Sequence, residues 1–96
     1  MTTWALSVDA ADDLDRLVDF LLEDWPELAV TTVDLIVDAL AVLALHPKIG
    51  RPIEHGLREL VISRGKSGYL ALYDYDALAD MVLVLALRHQ REQGYY

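Results

Sequence analysis

The sequence contains no cysteine, which excludes disulfide staples and thiolate metal sites. That absence suits a reducing compartment. No run is long enough to cross a membrane. The longest apolar stretch, residues 35–45, is broken by Asp38, whereas a membrane helix needs about 20 apolar residues. The opening Met1-Thr2-Thr3-Trp4 has no basic segment leading into an apolar one, so no secretory signal is read there. A cytoplasmic location is expected. The three histidines, His46, His55 and His89, have no ligand spacing such as i and i+4. No metal centre and no cofactor is expected.

Bases are scarce in the first half. Residues 1–47 carry ten acids against one base, Arg16, a net charge of −9. Residues 48–96 carry seven bases against six acids, a net of +1, and the chain totals −8. The acidic half repels polyanions and leaves only the second half able to touch one.

What is present is apolar material. Hydrophobic residues make up 54% of 96 positions, enough for a single core without staples. One domain spanning residues 1–96 is expected. Trp4–Val8 reads as an opening strand. Asp9 follows as an N-cap, with Asp12 three residues on. From Ala11, the positions Leu14, Leu17, Val18, Leu21, Leu22 and Trp25 step 3-1-3-1-3, one face of a helix. Pro26 breaks this run and fits the first turn of a second helix. That helix is expected over Glu27–Leu45, burying Leu28, Val33, Ile36, Val37, Leu40, Leu43 and Ala44. The short link makes the pair an antiparallel hairpin.

His46–Gly56 reads as a loop, because two prolines and a glycine fall within residues 46–52. Leu57–Arg64 then reads as a strand, 65–68 as a tight turn, and Tyr69–Tyr75 as a strand. In that strand Tyr69, Ala71, Tyr73 and Tyr75 share one face, while Leu70, Leu72 and Asp74 share the other. Residues 76–79 form a link. Met81–Leu87 is apolar on both faces, as a central strand covered on both sides would be. The order is β-α-α-β-β-β, an α+β fold. A small, mainly antiparallel sheet carries the helical hairpin on one face and has no element of its own for the other.

The second half resembles the RelE/ParE toxin superfamily of type II toxin–antitoxin systems. The matching pieces are Pro47-Lys48-Ile49-Gly50-Arg51-Pro52, Gly56-Leu57-Arg58-Glu59-Leu60, Gly68-Tyr69-Leu70-Ala71-Leu72-Tyr73 and Leu85-Ala86-Leu87-Arg88-His89-Gln90-Arg91-Glu92. Each is weak alone; their shared order and spacing carry the resemblance. It implies a toxin neutralised by a cognate antitoxin, typically a ribbon-helix-helix protein encoded beside it. RelE-like members cut messenger RNA on the ribosome; ParE-like members bind and inhibit DNA gyrase. RelE-like members carry dense bases on the middle strands. Here 69–73 and 81–85 contain none, and a chain at −8 competes poorly for ribosomal RNA phosphate. The ParE-like branch is therefore favoured, acting by binding with no chemical step. A RelE-like ribonuclease and a non-toxic, antitoxin-bound co-repressor are the alternatives.

Candidate contacts to antitoxin or target are Arg58, Arg64, Lys66, Tyr69, Tyr73, Arg88, His89, Arg91, Glu92 and Tyr96. No residue is assigned as catalytic. Each candidate has a plainer reading. Arg58 would pair with a helix carboxylate, the tyrosine stripe would pack in the core, and His89 would be structural. Nucleic acid would be met only through the antitoxin. Covering the bare sheet face calls for an apolar helical or extended segment of another chain, hence a hetero-oligomer.

Overall fold

The structure, a computed structural model, describes residues 2–64 and 67–90, and of residues 63, 64 and 67 only the backbone. It opens with β1 (Thr3–Leu6) and α1 (Val8–Asp24). The helix is capped by Ser7, whose extended backbone lets Oγ accept the Ala10 N–H at 3.0 Å. This satisfies one of the donors that a helix start leaves orphaned. The expected cap at Asp9 and start near Ala11 are both corrected. Serine wins because the sheet holds it from the other side. Its N–H donates to the Val84 carbonyl at 2.8 Å and its hydroxyl to the Leu85 carbonyl at 3.3 Å. Asp9 lies in the first turn instead, where its charge suits the helix dipole.

Pro26 opens α2 (Pro26–Val42), where its missing N–H costs nothing. The helix stops three residues before the expected Leu45. Pro47 disfavours helical backbone just upstream, and the Ala44 carbonyl accepts the Thr2 N–H at 3.2 Å.

The sheet continues with β2 (Arg51–Pro52), β3 (Arg58–Arg64), β4 (Ser67–Asp76) and β5 (Met81–His89), in spatial order β1-β5-β4-β3-β2. β1 runs parallel to β5, and every other pairing is antiparallel. The fold is α+β as expected, and β5 is an interior strand. β2 is an addition within the segment read as loop. Pro52 is tolerated there because the strand lies at the sheet edge. A short 3₁₀ turn, Glu54–Gly56, joins β2 to β3 with His55 and Gly56 at positive φ.

β5 carries a bulge. Leu72 faces Ala86, yet Tyr73 faces Val84, so Leu85 is the extra residue and the side-chain alternation changes phase across it. Val82 and Val84 before it, and Leu87 after it, therefore enter the same core. That core joins Ala10, Leu17, Ile36, Leu40 and Leu43 of the helical segment to Ile62, Tyr69, Ala71 and Tyr73 of the sheet. Burying each large aliphatic side chain there contributes about 1.5–3 kcal/mol.

Candidate functional site

The sheet face turned away from the helices is built in rows by strand register. One row runs Ala5, Leu83, Asp74. A second runs Ala86, Leu72, Glu59, Arg51, and a third Arg88, Leu70, Val61. Its centre is closed, with Leu70 and Ala86 buried. Its margins are not: Met81 and Leu83 are each 37% exposed and Val61 is 49% exposed. At one end Arg51 Nε donates to Glu59 Oε1 at 2.9 Å. The Glu59 carboxylate is buried while the Arg51 side chain is 70% exposed. This end is thus locally neutral.

The helix side of the sheet supports a loop. Tyr73 is fully buried, its hydroxyl donating to the Pro47 carbonyl at 2.8 Å and accepting the Gly50 N–H at 2.9 Å. Burial pushes the phenol pKa above its usual value, only partly offset by the Gly50 hydrogen bond and the nearby Arg58 charge. Arg58 Nη1 donates to the carbonyls of Lys48 at 3.0 Å and Gly50 at 2.8 Å. The expected ion pair between Arg58 and a helix carboxylate is replaced by these two carbonyl contacts. A shallow cavity of about 480 Å³ lies over the loop, lined by Leu45, His46, Pro47, Lys48 and Ile49.

The structure separates the other sequence candidates. Tyr69 is buried on the helix side and meets His89 edge-on, with centroids 5.4 Å apart. Arg88 lies on the opposite face across from Leu70, and its Nη1 donates to the His89 carbonyl at 3.3 Å. Ordinary strand alternation thus puts Arg88 and His89 on different sides of the sheet. Arg64 ends β3 opposite Ser67. Lys66, Arg91, Glu92 and Tyr96 lie outside the described residues.

Two polar clusters were not read from the sequence. Asp13 is buried and joins α1 to β5. Asp80, at φ 50°, accepts the Thr2 hydroxyl at 2.6 Å and the Tyr75 hydroxyl at 2.9 Å. The Thr2 and Tyr75 hydrogen bonds hold the Asp80 carboxyl below its usual pKa. The Asp80 contact, chiefly, holds the Tyr75 phenol above its own. A period-two or period-3.6 pattern carries no signal for such contacts, because they join different elements rather than positions on one face.

A family model described as the ParE toxin of the type II toxin–antitoxin system, parDE, matches residues 5–94. The chain belongs to this family. It is 33% identical over 93 residues to Toxin RelE3 of Caulobacter vibrioides, covering 97% of this chain and 99% of that one. The toxin's fold is also similar to that in the chromosomal ParDE system from P. aeruginosa, with 24% identity and a TM-score of 0.72. That match covers 91% of this chain and 94% of the other. A chain of the RelBE2 toxin–antitoxin complex from Mycobacterium tuberculosis matches with 24% identity and a TM-score of 0.62, covering 93% and 98%. Among the toxin's described residues no helix is long and apolar enough to cross a membrane.

Proposed function

We propose that this toxin works by binding a protein target, with DNA gyrase the expected target, and that a cognate antitoxin neutralises it. The observation that carries this reading is the makeup of the uncovered sheet face. Its rows hold Leu83, Asp74, Ala86, Leu72, Leu70 and Val61, Arg88 is the base they contain, and Arg51 at the end is paired with Glu59. Cleaving RNA needs a positioned base, an acid and cations to hold the developing phosphorane charge. The exposed margin offers apolar surface of the kind that seats a partner chain. Tyr73, which could have served as a proton donor, is buried and hydrogen-bonded to the loop.

The test uses purified toxin in two assays. Inhibition of gyrase supercoiling with message left intact on translating ribosomes is expected. Ribosome-dependent cleavage of message would overturn the reading in favour of a RelE-type ribonuclease. The likeness to Toxin RelE3 supports that second reading. An antitoxin partner is supported by the solved relatives, one from a ParDE system and one from a RelBE2 complex. A small ribbon-helix-helix protein encoded next to the toxin is expected. Growth that continues when the toxin is induced alone would identify a non-toxic scaffold.

A further inference from the structure

We propose that the segment Leu45–Ile49 is a preformed docking site for an acidic, apolar stretch of the antitoxin, an inference that rests on the antitoxin reading above. Three observations converge on this loop. The first is its rigidity. The carbonyls of Pro47, Lys48 and Gly50 and the N–H of Gly50 are all engaged by two side chains, Tyr73 and Arg58. Ile49 N–H closes the turn onto the His46 carbonyl at 3.1 Å. A loop held from beneath in this way loses little conformational freedom when a partner arrives.

The second observation is what the loop shows to solvent. Leu45 is 65% exposed and Ile49 is 54% exposed, and they share the lining of the shallow cavity with His46 and Lys48. Spending a buried tyrosine and an arginine to fix a loop whose apolar side chains face outward has no use in the core. It suits a surface that must be presented in one shape.

The third observation is charge, and it selects the occupant. No acid occurs from residue 39 to residue 53, a stretch that holds Lys48, Arg51 and His46. On the helical hairpin several exposed apolar side chains sit among carboxylates. Phe20 and Trp25 are flanked in sequence by Asp19, Glu23, Asp24 and Glu27, and Val37 by Asp34 and Asp38. Those surfaces would favour a basic partner, whereas this one favours an acidic partner. A nucleic acid is a poor fit. Arg51 is paired with Glu59 and Arg58 with backbone carbonyls, which leaves Lys48 as the loop's cation toward solvent. Polyanion binding draws on several such contacts at once.

The experiment measures the affinity of full-length toxin for the purified product of the adjacent gene by calorimetry. Ile49→Asp is expected to weaken binding about tenfold or more, as removal of an apolar anchor does. Lys48→Glu is expected to weaken it several-fold, and exchanging one antitoxin carboxylate for lysine should restore the loss. Phe20→Asp, at the other end of the hairpin, should change affinity less than twofold. Thermal melts of the free variants should match the parent, since both loop side chains are exposed. Wild-type affinity in both loop variants would overturn the docking site while leaving the antitoxin reading intact. Failure of the unmodified pair to bind at all would remove both. Duplex DNA binding with a steep salt dependence that Lys48→Glu abolishes would assign the loop to nucleic acid and likewise overturn the proposal.

Discussion

Asp13 Oδ2 accepts the backbone N–H of Leu87 at 2.9 Å across 74 residues of sequence, and both groups are buried. β1 ends at Leu6 opposite Val84, so further along this edge of β5 the carboxylate takes the place of a strand. Asp13→Ala should cost about 1–3 kcal/mol, the penalty for leaving a buried donor unpaired. Asp13→Asn keeps an acceptor and should recover most of it. The ion pair with Arg16, whose side chain is 53% exposed, is screened on the arginine side, so Arg16→Ala should cost less than Asp13→Ala. Urea unfolding of the three variants checks the order.

Tyr73→Phe removes a hydroxyl that serves two backbone groups of the loop. The ring still fills its site, so the expected loss of about 1–3 kcal/mol comes from the unpaired Pro47 carbonyl and Gly50 N–H. Hydrogen exchange at the Gly50 amide should accelerate more than exchange at core amides of β4. A uniform acceleration would mean that the hydroxyl supports the whole fold rather than the loop.

Gly50 has no room for a side chain. A Cβ there would lie 2.7 Å from Cε1 and Oη of Tyr73 and 2.9 Å from the Glu59 carbonyl oxygen. Neither the buried ring nor the strand backbone yields cheaply, so Gly50→Ala should destabilise by about 1–3 kcal/mol. Pairing it with Tyr73→Phe should relieve part of that cost, because one of the crowding atoms is gone. A double-mutant cycle with purely additive losses would show that the clash is with the ring carbon and the Glu59 carbonyl rather than with the hydroxyl.

Asp80 and Tyr75 make stability fall at both ends of the pH scale. The folded Asp80 carboxyl lies below its unfolded value. Its contribution is therefore present above that unfolded value and is lost as pH falls through the folded one. The folded Tyr75 phenol lies above its unfolded value. Its contribution is complete below the ordinary phenol range and is lost as pH rises through the higher folded value. Asp80→Asn should flatten the acid limb of a melting-temperature profile and bring the Tyr75 titration back toward normal in ultraviolet absorbance. An unchanged acid limb would contradict the assignment.

The helices and β4 were legible because each buries one face, although Leu22, Trp25, Leu28 and Val37, expected on the buried faces, are exposed, and α2 buries the small Ala29 and Thr32 instead. The Leu14–Trp25 steps gave α1, and the Tyr69–Tyr75 alternation put the tyrosines on the helix side. Three features were not legible, each for a physical reason. Met81–Leu87 is apolar at every position, so a change of phase at Leu85 leaves no trace in its pattern. β2 is two residues long, shorter than any period can reveal. Ser7 became the cap through contacts with Val84 and Leu85, while local sequence pointed to the acids that follow. Of the candidate surface, the basic loop was visible as a motif. Its fixation by Tyr73 and Arg58 depends on the β3–β4 register, which sets those two residues directly opposite each other.

The pairing of β1 with β5 alone has a temporal consequence. Thr3 meets Met81 and Leu6 meets Val84, so among the described strands β1 has no neighbour until β5 emerges. During synthesis the β3–β4 hairpin and the helices can form from nearby contacts, while β1 waits unpaired. Such distant pairings close slowly, and an unpaired strand is exposed to misassembly meanwhile. Ser7 and Asp13, which clip the start of α1 onto β5, can close only once β5 has been made. Until β5 has been made, neither β1 nor the start of α1 has the strand it closes onto.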